Sequence, residues 1–222
     1  MTDTPFDLQV LNALAAVFLL LAFAMLSQRR VVTLVNLLAF QGALLCGATL
    51  LLAWRTGQSH LYLSALLTLA LKAAFLPWLL HRLIRRLGVY WDSEPLINIS
   101  STMLLGLLVV IFSFGLAQPI AALASTATRN AIGIAVAVVL LSFLTMITRR
   151  KAMSQVVGFL SMENGLFFGA MSATYGMPMI IELGVALDVL VAVLVLGVFF
   201  FQIREQFDSL DLHHLESLRE DK

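Results

Sequence analysis

The 222-residue chain is 60% hydrophobic and only 12% charged, whereas soluble domains carry about 25% charged and about 45–50% apolar residues. A mean hydropathy of +0.95 excludes intrinsic disorder, the single cysteine, Cys46, excludes a disulfide scaffold, and a net charge of +1 argues against a nucleic-acid binder. What remains is a multi-pass membrane protein.

A helix needs roughly 20 mostly apolar residues to cross a bilayer. Seven segments meet that requirement, at about Leu8–Ser27, Val31–Trp54, Leu61–Ile84, Leu96–Ile120, Asn130–Thr148, Ala152–Ala173 and Pro178–Ile203. The first is read as a retained helix and not a signal peptide. Asp3 and Asp7 precede it without any basic residue, and no Ala-x-Ala site follows. A proline opening the seventh is tolerated, since its missing N–H would have no intrahelical partner there.

Eleven of the fourteen basic residues fall on one side of this seven-span arrangement: Arg29, Arg30, Arg82, Arg85, Arg86, Arg149, Arg150, Lys151, Arg204, Arg219 and Lys222. Only Arg55 and Arg129 fall on the other, and Lys72 lies within a span. The positive-inside rule then puts the N-terminus outside and the C-terminus in the cytoplasm. The expected fold is an all-α polytopic bundle. It comprises a four-helix region (1–129), a three-helix region (130–203) and a tail (204–222). Phe207, Leu210, Leu212, Leu215 and Leu218 lie among charges in that tail, partly at helical spacing. They form either an amphipathic helix lying on the membrane or the bundle, or a docking strip for a cytoplasmic partner.

Four ionisable groups fall inside the spans: Lys72, Glu163, Glu182 and Asp188. Each costs on the order of 2.5–3.5 kcal/mol near the bilayer centre on insertion scales. Lys72 lies eleven residues from the outer end of its span, Glu163 eleven from the inner end of its span and Asp188 ten from the outer end of its own. That is a depth of roughly 15–17 Å, half of an approximately 30 Å core. Glu182 is only about 6 Å deep by the same ruler. Gly165 and Gly169 follow Glu163 as a GxxxG that permits close helix contact. Gly184, Asp188 and Ala192 share one stripe, leaving room around the carboxylate. Pro77, five residues after Lys72, removes a backbone hydrogen bond and loosens that helix. Such a set suits proton handling. The plainer alternative is a buried ion pair that only fixes helix register, or, for Glu182, an interfacial side chain that snorkels or caps.

His60 and His81 read as interfacial residues, and the adjacent His213 and His214 are poorly spaced for a metal. Cys46 reads as a small packing residue. The chain lacks the clustered Cys or His of haem and iron–sulfur ligation, as well as P-loop, dinucleotide and HExxH motifs. Redox chemistry is therefore expected in other chains.

The segment Gln155-Val-Val-Gly-Phe-Leu-Ser-Met-Glu-Asn-Gly165, followed by Ile181-Glu-Leu-Gly-Val-Ala-Leu-Asp188, resembles the hydrogenase-4 component E family, membrane subunits of group 4 nickel–iron hydrogenase and formate-hydrogenlyase-type complexes. The resemblance covers essentially the whole chain, with the Lys72-x4-Pro77 segment and the Asp-Ser-Leu-Asp-Leu tail in support. The last three helices also look like the K-type subunit of respiratory complex I and the C-type subunit of multisubunit cation/proton antiporters. The K-type subunit carries two buried glutamates on its proton path; Glu163 matches the first, and Asp188 the second with aspartate replacing glutamate.

These resemblances imply a non-redox membrane-arm subunit in a bacterial cytoplasmic membrane, with Glu163, Asp188, Lys72 and Glu182 on a proton path. The implied partners are antiporter-like subunits, a quinone-subunit-like membrane protein and a cytoplasmic hydrogenase arm holding the nickel–iron centre and iron–sulfur clusters. The alternatives are a structural linker between larger pumps, a subunit of a multisubunit cation/proton antiporter, and a stand-alone seven-helix transporter or receptor. Loops too short for a vestibule argue against the last.

Overall fold

A computed structural model of the chain describes residues 6–57, 59–87, 90, 97–121 and 126–174, together with 184, 186–187, 189–191, 193 and 197. Most of the described residues are helical. In order they form α1 (Phe6–Ser27), α2 (Val31–Thr56), α3 (Ser59–Thr68), a π-helical segment (Leu69–Phe75), α4 (Leu76–Leu87), α5 (Ile99–Ala121), α6 (Thr126–Thr148) and α7 (Ala152–Thr174). The chain divides into two compact units, Met1–Val185 and Ala186–Lys222.

Six stretches of the described residues are long and apolar enough to cross a membrane: Gln9–Ser27, Val31–Thr56, Leu61–Arg86, Ile99–Pro119, Asn130–Thr148 and Ala152–Thr174. They coincide with the first six sequence-predicted spans. Most of the seventh, Pro178–Ile203, and the whole tail lie outside the described residues.

The centre of the first unit is built where α1, α2, α6 and α7 share one apolar cluster that includes Phe18, Leu45, Val138 and Phe168. Phe18 and Phe168 meet ring to ring at 5.2 Å. Only 17% of the α5 span is buried, against 56% for the α6 and α7 spans. Helix α5 is therefore peripheral, with Leu104, Leu107, Leu108, Ile111 and Phe112 facing outward.

Helices α6 and α7 pack through small residues. A Cβ at Gly158 would come within 2.8 Å of Met146, one at Gly165 within 3.0 Å of Val138, and one at Gly169 within 2.9 Å of Ala135. Lipid gives two helices no hydrophobic reason to associate, so close van der Waals contact and interhelical hydrogen bonds must do it. Ser142 supplies one such bond, donating to the Ser161 hydroxyl at 2.8 Å.

One charge counted with the loops turns out to be internal. Arg149, just beyond α6, is buried. Its Nη2 donates to the carbonyls of Leu26 at 2.8 Å and Met25 at 3.3 Å. Those are last-turn carbonyls of α1, which have no intrahelical donor, and a cation there also meets the negative end of the helix dipole.

Candidate functional site

Helix α2 lies along the broken third span. Cys46, buried as its small size suggested, donates its S–H to the Ala65 carbonyl at 3.2 Å. One turn earlier, Gly42 faces the π-helical segment at Lys72. A Cβ on Gly42 would sit 2.9 Å from the Lys72 carbonyl carbon and 3.0 Å from its oxygen. Only a residue without a side chain lets the two backbones meet here.

The π-helical segment has a local cause. The N–H of Leu76 bonds to the carbonyl of Leu71, five residues back, where an α-helix would reach back four. Pro77 comes next and has no N–H, and in a regular α-helix its ring would strike the carbonyl of residue 73. Widening the preceding turn moves that carbonyl aside. The break foreseen at Pro77 is thus spread upstream over Leu69–Phe75, with Lys72 in its middle.

From this widened turn the Lys72 ammonium reaches Glu163 on α7, with Nζ 3.1 Å from Oε1. Both side chains are almost fully enclosed, at 3% and 4% exposure. Nζ also lies 5.4 Å from the centroid of the Phe167 ring, one helical turn after Glu163, so the cation sits between a carboxylate and an aromatic face of the same helix. Gly184 packs on that ring as well, since a Cβ there would come within 2.5 Å of Phe167 Cδ2.

Of the four ionisable residues picked out by depth, Lys72 and Glu163 are brought together. Asp188 and Glu182 lie outside the described residues, as does the side chain of His60. His81 is partly buried, its Nδ1 2.8 Å from the Pro77 carbonyl. Among the described residues no three His, Cys, Asp or Glu side chains cluster so as to hold a metal ion.

A survey of ionisable groups alone overlooks Gln41. Its side chain is fully buried, and neither amide atom has a hydrogen-bond partner among the described residues. Successive spans alternate in direction, so α2 and α7 run the same way. They touch where Thr49 Oγ1 lies 3.2 Å from Met171 Sδ. Eight residues back along each helix, about 12 Å, stand Gln41 and Glu163. The buried amide is thus at the level of the ion pair. The signal available in the sequence was a Gln-Gly dipeptide halfway along an apolar span.

Chemically, the buried contact sets a proton donor, the Lys72 ammonium, directly against an acceptor, the Glu163 carboxylate. A buried amide alongside, able to donate and accept, is the kind of group that holds an internal water.

Comparison with known proteins gives no matching family model and no matching solved structure. The hydrogenase-4 component E proteins of Escherichia coli K12 and Shigella flexneri are each 24% identical over 148 residues, covering 67% of this chain and 68% of theirs. This is a distant homology. The uncharacterized protein Rv0085 of Mycobacterium tuberculosis is 38% identical over 216 residues, covering 96% of this chain and 98% of the mycobacterial one. At that identity over nearly the full length of both, this helical membrane protein belongs to the family of Rv0085.

Proposed function

We propose that the chain is a non-redox membrane-arm subunit of a complex-I-like, group 4 hydrogenase-related oxidoreductase, contributing acid and base groups to a proton path through a bacterial cytoplasmic membrane. The observation that carries this reading is the Lys72–Glu163 pair, enclosed between two helices at mid-span and held by a widened turn. The distant homology to hydrogenase-4 component E supports the choice of complex.

In this reading Glu163 and Lys72 exchange a proton across their contact, through a water held by Gln41 or directly. Asp188, at equal depth in the predicted seventh span, takes the next step, and Glu182 relays toward the outer surface. The N-terminus is outside and the C-terminus cytoplasmic. The three-helix region from 130 to 203 acts as the K-subunit-like part. Antiporter-like subunits and a quinone-subunit-like membrane protein flank it. The nickel–iron centre and iron–sulfur clusters sit in the hydrogenase arm, whose redox turnover shifts the field felt by the pair.

The test is Glu163→Gln in the complex that co-purifies with the tagged chain, reconstituted in vesicles with an internal pH dye. Proton uptake per turnover is expected to be lost while the complex remains assembled. Unchanged uptake would remove Glu163 from the path.

A second reading is favoured by the tightness of the same contact: a pair sealed at 3.1 Å is also a good register lock, and the chain would then join larger pumps without conducting. It predicts that breaking the pair impairs assembly and nothing else.

A further inference from the structure

Helix α4 is divided between two faces. Leu76, Leu79, Leu80, Leu83 and Ile84 are buried, whereas Trp78, Arg82, Arg85 and Arg86 are exposed. Arg82 has Arg85 and Arg86 three and four residues on. At those spacings like charges stand side by side and repel. Among the described residues none of the three arginines has a carboxylate partner. What they do have is Trp78, whose ring centroid lies 5.5 Å from the Arg82 guanidinium carbon. With His81, whose ring is fixed by the bond to the Pro77 carbonyl, these side chains line a recess of about 320 Å³.

Depth identifies the occupant. Arg85 and Arg86 close the span that ends at Arg86. Arg82 lies one turn, about 6 Å, further in, and Trp78 about 12 Å in. Exposed Phe75 stacks on Trp78 with centroids 6.3 Å apart, so an aromatic strip continues toward the bilayer centre directly below the guanidinium cluster. A free anion would use the arginines and leave the strip uncovered. An acidic peptide would meet the arginines from water and could not follow the strip into hydrocarbon. A molecule with a negative head and an apolar tail uses both. We propose that this face of α4 is a binding site for an anionic phospholipid, its phosphate held by Arg82, Arg85 and Arg86 and an acyl chain lying along Trp78 and Phe75. Planar guanidinium groups bind phosphate oxygens in pairs, and each basic side chain near a membrane surface adds to attraction for acidic lipid.

The test uses the full-length chain in detergent, titrated with phosphatidylglycerol or phosphatidylcholine and followed by native mass spectrometry. Phosphatidylglycerol is expected to be retained about tenfold or more better, and Arg82→Gln/Arg85→Gln/Arg86→Gln, which alters only exposed positions, should remove the preference. In a Trp54→Phe/Trp91→Phe chain, where Trp78 is the remaining tryptophan, brominated phosphatidylglycerol should quench its fluorescence more than brominated phosphatidylcholine, and millimolar inorganic phosphate should not reverse this. Equal retention of the two lipids, or a preference that survives the triple substitution, overturns the proposal. Reversal by phosphate, with no difference between the lipids, would reassign the arginines to a soluble anion.

Discussion

A lysine and a glutamate at mid-span each oppose insertion by on the order of 2.5–3.5 kcal/mol, and their 3.1 Å contact offsets part of that. Removing one partner leaves the other charge buried and alone, which costs about 3–5 kcal/mol. Lys72→Met should therefore lower the thermal stability of the purified chain markedly. Combining it with Glu163→Leu should restore most of the loss, because an apolar pair of similar volume needs no compensation. The double variant separates the two functional readings, since stability returns whichever is correct. If proton pumping by the assembled complex returns with it, the pair is only a lock; continued failure to pump assigns it to the path. Depth arithmetic exposed Lys72 and Glu163 because charge in hydrocarbon is expensive whatever the fold. It could not choose between Glu163 and Asp188 as the partner of Lys72, since pairing depends on helix rotation and neighbour choice, which depth does not encode. Gln41 escaped for a related reason: an amide carries no charge, and only its enclosure with no hydrogen-bond partner among the described residues sets it apart.

At the level of helices, the close approach of α2 to the π-helical segment is the most constrained feature. A Cβ at Gly42 would press against the Lys72 backbone, and backbone, unlike a flexible side chain, yields only if the whole segment moves. Gly42→Ala should destabilise by about 1–3 kcal/mol, the usual range for overpacking. Gly47, five residues on in the same helix, has nothing within 4 Å of its added Cβ. There Gly47→Ala should stabilise by roughly 0.5–1 kcal/mol, as the change does in an ordinary helix interior. Opposite signs in thermal unfolding of the two purified variants are the expected result; equal effects would mean that α2 does not touch the broken span at Gly42. The boundaries of α2 and α7 were readable within two residues, because hydrocarbon demands an unbroken apolar run. The π-helical turn was not. It changes which carbonyl each N–H reaches without changing composition, and the only trace it leaves is a proline just past its end.

At the scale of the whole molecule, the six described spans return the chain to the side where it starts, whereas a seventh crossing would put its two ends on opposite sides of the membrane. The distribution of basic residues favours seven, since Arg204, Arg219 and Lys222 join the rich side only if Pro178–Ile203 crosses. Arg149 shows that such a tally mixes two kinds of charge: it caps the α1 carbonyls inside the protein, and its position is explained by that bond without any appeal to the membrane field. Removing it from the count still leaves ten basic residues on one side against two, so the expectation of seven stands. The topology can be measured directly because Cys46 is the only cysteine and can be replaced. In a Cys46→Ser background, Thr2→Cys should react in intact cells with a maleimide that cannot cross the membrane, while Asp221→Cys should react only after permeabilisation. Labelling of both in intact cells, or of neither, would mean an even number of crossings. It would also remove the basis for placing Asp188 at mid-membrane, since that depth assumes that the last apolar segment goes all the way through.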